Sequence, residues 1–212
     1  MASVVPSSRI QRINDQQPAP DRRYVLVWMV AQRRVHESFV LQRAAELAVR
    51  WQKPIVVFEA LRVGYGWASD RFHRFILEGM LDNARALAGR HGVTYWPYVE
   101  PAPGAGKGLL EALAANACAV ITDDYPCFFV PRMVAAAAGR LDVAVEAVDS
   151  NGVLPIAQPG EKVFARAYDF RRHLQKHLAT YLRPAEWPEH DPVGPAVTAK
   201  LPPAEAIPGS IL

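Results

Sequence analysis

Cysteine is scarce in this chain: Cys118 and Cys127 are the only two in 212 residues. Two thiols make neither a zinc framework nor a disulfide scaffold, so both classes are excluded. Each sits in apolar surroundings, in or just after a strand, and reads as a buried free thiol. Long apolar runs are missing as well. None approaches the roughly 20 residues needed to span a bilayer. The opening stretch, MASVVPSSRIQRINDQQPAPDRR, has no apolar core of the signal-peptide kind. The expectation is a cytoplasmic protein without membrane contact, whose residues 1–22 form a disordered arm. Catalytic signatures are lacking too. No G-x-G-x-x-G follows the first strand, and no nucleophile elbow, Ser-His-Asp pattern or His-rich metal cluster is visible. Gly104-Ala105-Gly106-Lys107-Gly108 imitates a phosphate loop but fails in detail. Pro101 stands where the pattern needs glycine, and Gly108 stands where a hydroxyl would hold magnesium. A flexible connector fits that stretch better.

What is present is the pattern of a soluble α/β domain. Half of the residues are apolar and 21% are charged, ordinary values for a globular chain. The net charge is +3 and the pI about 9.0, which permits contact with nucleic acid without demonstrating it. Tyr24 to Val30 is a continuous apolar strand that breaks into Gln32-Arg33-Arg34 and then turns amphipathic. A fully buried strand feeding a polar turn and a helix opens a parallel sheet. The helix runs from about Val35 to Gln52, with Phe39, Val40, Ala44, Leu47, Ala48 and Trp51 at three-and-four spacing. Further strands are predicted over Ile55–Leu61, Val93–Val99, CAVITDD and Val143–Asp149. Helices are predicted over about Arg71–His91, GLLEALAANA, Pro131–Ala138 and about Ala165–Leu182. After Arg183 seven prolines mark residues 184–212 as a linker or tail rather than a core element. The domain proper is then 23–183. Five strands joined by helices predict a Rossmann-like, doubly wound, five-stranded parallel sheet of order 3-2-1-4-5. Its ligand site would lie past the first and fourth strands, at Met29–Arg34 and Thr122–Tyr125.

Three features compete for chemistry. His173 and His177 are four apart on the last helix, a spacing that can hold a metal, but no third ligand is evident. With Arg171, Arg172 and Lys176 beside them, a solvated basic face fits better, and such a face can also meet phosphates. Asp123 and Asp124 end the fourth strand, where paired carboxylates bind metal, act as acid and base, or cap a turn. Of the five tryptophans, Trp28, Trp51, Trp96 and Trp187 read as core residues and Trp67 as an exposed loop residue. None of these by itself specifies a catalytic machine.

The order of segments adds what the motifs lack. VLVWMVAQRRVHESFVLQRAAELA resembles the opening of class II DNA photolyases, through Trp28, Met29, Gln32, Arg33, Arg34, Val35, Glu37 and Phe39. DRFHRFILEGMLD looks like that family's Arg-His helix, through Arg71, His73, Phe75 and Gly79. VITDDYPCFFVPRMV agrees at Thr122, Asp123, Pro126, Pro131 and Arg132, and AVDSNGVLP at Val148, Asp149 and Pro155. ARAYDFRRHLQKHLATYL resembles the family's closing helix, through Ala165, Arg166, Tyr181 and Leu182. The match covers Tyr24 to about Pro192, in order and at family-like spacing. It departs where Phe128 or Phe129 replaces an Arg, Asn151-Gly152 replaces His-Asn, and Ser38 replaces Asn.

The resemblance implies the α/β antenna domain of a photolyase, a family that reverses cyclobutane pyrimidine dimers in DNA by light-driven electron transfer from reduced FAD. In that family a second, all-helical domain holds FAD and the flipped dimer. This chain shows no counterpart of it, so the expectation is a protein inactive alone. It would dock with a helical FAD domain in trans and meet DNA only indirectly. The resemblance and the strand ends together point to Trp28, Met29, Gln32, Arg33, Glu37, Asp123 and Tyr125 as contacts for a deazaflavin-type antenna chromophore. Two other classes remain open: a non-catalytic interaction or scaffold module, and a nucleotide-binding α/β protein, since fold does not fix function.

Overall fold

The strands that form the centre of the molecule are apolar on both faces. Val25, Leu26 and Val27 are fully buried, as are Ile55, Val56 and Val57, and Val120 and Ile121. A run with no alternation can sit only where helices cover both sides of the sheet. The computed structural model describes residues 5–205 and carries this out. Five strands run parallel: β2 (Tyr24–Met29), β3 (Ile55–Leu61), β4 (Val93–Val99), β5 (Ala117–Asp123) and β6 (Val145–Val148). A short β1 (Ile10–Arg12) pairs antiparallel with β6, Ile10 opposite Val148. The order is β1-β6-β5-β2-β3-β4. The five parallel strands thus keep the predicted 3-2-1-4-5 arrangement, in a sheet of six strands rather than five.

Helices α1 (Phe39–Trp51) and α2 (Asp70–Leu87) cover one face. There Leu41, Ala44, Leu47 and Leu87 meet Val25, Val27, Ile55, Val57 and Ile121. On the other face α3 (Leu109–Ala114) and α4 (Val130–Ala138) bring Leu113 and Ala138 onto Leu26, Val56, Val120 and Val145. Burying such an apolar side chain contributes roughly 1.5–3 kcal/mol each. The first helix begins at Phe39, four residues later than its apolar pattern suggests. The reason is local: Arg33 and Glu37 have φ of 39° and 51°, and the Ser38 hydroxyl caps the helix by accepting from the Leu41 amide at 3.3 Å. No helix among the described residues is long and apolar enough to cross a membrane.

Both ends of the chain depart from expectation. Residues 5–22 are ordered into a 3-10 turn at Ser7–Arg9 and strand β1, with Arg9 only 2% exposed. Residues 1–4 lie outside the described residues. Short, polar β1 is held by its edge pairing and by Arg9, not by any pattern of its own. The proline-rich end also packs back on the domain. Val193 is fully buried, Leu201 and Thr198 nearly so, and Arg90 binds Asp191 at 2.5 Å and the Val193 carbonyl at 2.8 Å. There the prolines shape turns, including the start of α6 (Pro195–Thr198); residues 206–212 lie outside the described residues. Gly92, with φ +68°, lies so close that a Cβ there would stand 2.5 Å from Leu201 Cβ. Cys118 is buried as expected, but Cys127 is exposed, because the apolar residues beside it, Phe128 and Phe129, also face outward. Trp187 is half exposed rather than core. The last long helix, α5 (Ala167–Tyr181), has no buried residue at all.

Candidate functional site

Strand order reverses between β2 and β5, and their carboxyl ends lie side by side, the position where open α/β sheets bind ligands. Asp123 closes β5 here. It is 2% exposed, and its Oδ2 accepts from the Val30 and Ala31 amides, each at 2.8 Å. Burial pushes its carboxyl upward, opposed by those amides and by Arg33. Asp123 therefore fixes the chain as it leaves β2. Asp124 is raised too, first by burial and then by the nearby Asp149 charge.

Arg33 leaves the turn toward β3. Its guanidinium donates to Glu59 Oε1 at 3.0 Å and to the Ala60 carbonyl at 2.8 Å. Glu59, 1% exposed, also receives Asn83 Nδ2 at 2.9 Å and the Tyr95 hydroxyl at 2.7 Å. Asn83 in turn donates to the Arg33 carbonyl at 3.1 Å. Burial, and then the bond to Glu59, drive the Tyr95 phenol upward. This network ties β2, β3, β4 and α2 together beneath the strand ends. An acid inside an otherwise apolar strand, IVVFEAL, was the signal for it, since a buried carboxylate needs donors.

The remaining predicted residues spread along the same rim. Gln32 donates to Asn151 Oδ1 at 2.6 Å. Glu37 contacts His190, whose ring stacks on His36 with centroids 5.2 Å apart, and it lines a groove of about 560 Å³ with Arg9, Arg34 and Trp187. Asp123 and Tyr125 line a separate cavity of about 280 Å³ under α4. Met29 is buried against Asn83. Trp28 is half-buried and pairs across the sheet with Phe58, which pairs with Trp96. The seven residues therefore share one edge of the sheet without lining a common cavity among those described.

A further cavity, missed from sequence, opens beyond Trp28. It holds about 370 Å³ and is lined by Phe58, Ala60, Tyr98, Leu109 and Leu110, with Arg62 and Lys107 at its mouth. Two of its lining rings, Phe58 and Tyr98, each pack against Trp96, with centroids 5.4 and 6.3 Å apart. The glycine-rich stretch forms one wall. Glu100 organises it, accepting from the amides of Val63, Gly104 and Gly106 at 3.0, 2.8 and 3.4 Å, and those amides hold its carboxyl below the ordinary range. A carboxylate thus occupies the donors that a phosphate would need. The slot suits a flat, largely apolar molecule with an anionic or polar edge near Lys107. Alternate aromatics in VTYWPYV were the available clue.

Fold and site together define a doubly wound α/β domain with an aromatic slot beside its switch point. The chain is 28% identical over 181 residues to the deoxyribodipyrimidine photo-lyase of Methanothermobacter thermautotrophicus. That similarity takes in 85% of this chain and 40% of the relative, so the chain spans well under half of the relative's length. No protein-family model matches. Among solved structures, the universal stress protein from Archaeoglobus fulgidus superposes with a TM-score of 0.32 at 19% identity, over 47% of this chain and 75% of that one.

Proposed function

We propose that this chain serves as the α/β domain of a photolyase-type protein, of the class II kind. In this reading it holds an antenna chromophore and passes excitation to FAD in a helical domain, within one polypeptide or in trans. The observation that carries the reading is the 28% identity to a photo-lyase, sustained over 181 residues. The aromatic slot beside Trp28 supports the antenna part. A planar deazaflavin-type ring would lie against Phe58 and Tyr98, with Lys107 and Arg62 at its polar edge. Asp123, Arg33 and Glu59 would hold the slot's frame rigid, while Gln32, Glu37 and Tyr125 form the outer rim.

Fluorescence titration with a deazaflavin tests this. Ala60→Trp, which fills the slot, is expected to weaken binding at least tenfold, and Glu37→Ala to change it less than threefold. Equal binding by wild type and Ala60→Trp would move the chromophore out of the slot, and no binding by the wild type would end the antenna reading. Repair of dimer-containing DNA under blue light is expected only when a helical FAD domain is supplied, so repair by residues 1–212 alone would overturn that assignment.

A second reading, a docking module, is favoured by a separate observation. Trp67, in the loop before α2, is 80% exposed, and on α2 Phe75 is 78% exposed with Phe72 one turn away, exposed rings of the kind that partners cover.

A further inference from the structure

The chain's positive charge is concentrated in one place. Five basic residues and one acidic residue fall within 162–177, against 24 and 21 in the whole chain, which leaves 19 and 20 elsewhere. The net charge of +3 therefore resides on α5 and the segment just before it. Those two lines of chain enclose an open groove of about 700 Å³, lined by Lys162, Phe164, Arg172, His173, Lys176 and His177 among others. Asp169, the groove's one acid, is taken up by Arg166 at 2.9 and 3.2 Å. Lys162, Arg171, Arg172 and Lys176 have no carboxylate partner among the described residues.

Rings are interleaved with these cations. Phe164 lies 4.9 Å from His173 and 5.3 Å edge-on from Phe170, and His173 lies 4.5 Å from His177. Lys162 sits 5.0 Å above the Phe164 ring, and Arg172 is 5.9 Å from that of Tyr168. A row of unpaired cations along a groove lined by the half-buried Phe164 ring, with Tyr168 and Phe170 exposed on α5, matches what a single-stranded nucleic acid offers: a phosphate every nucleotide and a base to stack. An anionic membrane is a poorer match, because Lys162, Arg172 and Lys176 converge on a concave groove instead of flanking a continuous apolar face.

We infer that the groove between residues 162–165 and α5 binds the backbone of single-stranded nucleic acid, with Lys162, Arg172 and Lys176 on phosphates and Phe164 stacking a base. The inference rests on the charge and ring geometry of this groove and is independent of the chromophore slot on the sheet.

The test is fluorescence anisotropy of the full chain with a labelled oligothymidylate, and an oligouridylate to tell DNA from RNA as the source of the backbone. Binding is expected at low salt, with log K falling against log salt at a slope of about −2 to −3, roughly 0.7 per phosphate contact. Lys162→Gln/Arg172→Gln/Lys176→Gln is expected to weaken binding at least thirtyfold and shrink the slope by about 2, to between about 0 and −1. Phe164→Ala is expected to cost about tenfold with the slope unchanged. All four side chains lie at the surface or groove, and circular dichroism checks that each variant is folded. Arg71→Gln/Arg74→Gln/Arg85→Gln on α2 removes the same charge elsewhere and is expected to leave affinity within twofold. No oligonucleotide binding at low salt, equal loss in both triple variants, or tighter binding to anionic phospholipid vesicles than to oligonucleotide would each overturn the inference.

Discussion

At the residue scale, the switch point is held by a few buried polar groups. Glu59, 1% exposed, accepts from Arg33, Asn83 and Tyr95, while the Arg33 side chain stays 27% exposed. Removing the carboxylate leaves the Asn83 and Tyr95 donors unpaired, at about 1–3 kcal/mol each, while water still reaches Arg33. Glu59→Ala is therefore expected to lose about 2–4 kcal/mol in urea unfolding, and a loss under about 1 kcal/mol would mean that water satisfies those donors too. Tyr24 supplies a pH signature. Its hydroxyl donates to the Leu113 carbonyl at 2.8 Å, and burial pushes the phenol up from 10.0 to about 12. The folded state holds this proton more tightly than the unfolded one, so the contribution is complete below pH 10 and lost as pH rises toward 12. Tyr95 is raised as well and acts in the same direction. Stability is expected to fall across that window, with a shallower fall in Tyr24→Phe, which loses about 1 kcal/mol at neutral pH for its missing hydrogen bond. Denaturation midpoints between pH 8 and 12 are the measurement. Little of this network was legible beforehand: Glu59, Asn83 and Tyr95 are far apart in sequence, and only the acid within an apolar strand hinted that they meet.

At the scale of elements, what was legible is what carries its own pattern. The central strands announced themselves because both faces are buried, and α1 because its apolar residues recur along one stripe. Strand β1 and the segment 193–205 carry no such pattern. Ile10–Arg12 draws its order from β6 and Arg9, and Val193 and Leu201 gain theirs from the core that they cap. Composition alone reads both as tails, because their stabilisation is tertiary. Gly92→Ala tests the second. A Cβ at φ +68° against Leu201 is strained and crowded, so the variant is expected to lose upward of about 1 kcal/mol. Amides of 193–205 should then exchange earlier than those of β2, and unchanged protection in that segment would show that the contact does not hold it. Helix α5 stands at the other extreme. With no residue buried, it has little to lose on opening, and its amides are expected to exchange first among the long helices.

At the scale of the whole molecule, the parts divide the labour by face. The sheet's carboxyl edge carries the polar network and the aromatic slot, α2 presents apolar rings, and α5 gathers the positive charge. The edges of the sheet matter in another way. β4 is an open edge strand whose fifth residue, Pro97, has no amide hydrogen to offer, which blunts it against pairing. β6 has no such protection of its own: its residues Val145, Ala147 and Val148 are buried and apolar, and its outer edge is covered by β1 and the residues just after it, Ile13 donating to the Val145 carbonyl at 2.9 Å and Asn14 Oδ1 accepting from the Val145 amide at 3.0 Å. Without β1, a row of free amides and carbonyls on an apolar strand would be open to the same strand of a neighbouring molecule. The short antiparallel strand at the start of the described chain is thus a safeguard for solubility. Loosening it with Gln11→Pro, at the position opposite Ala147 where the strand amide faces β6, is expected to yield concentration-dependent aggregation at neutral pH long before the central strands melt.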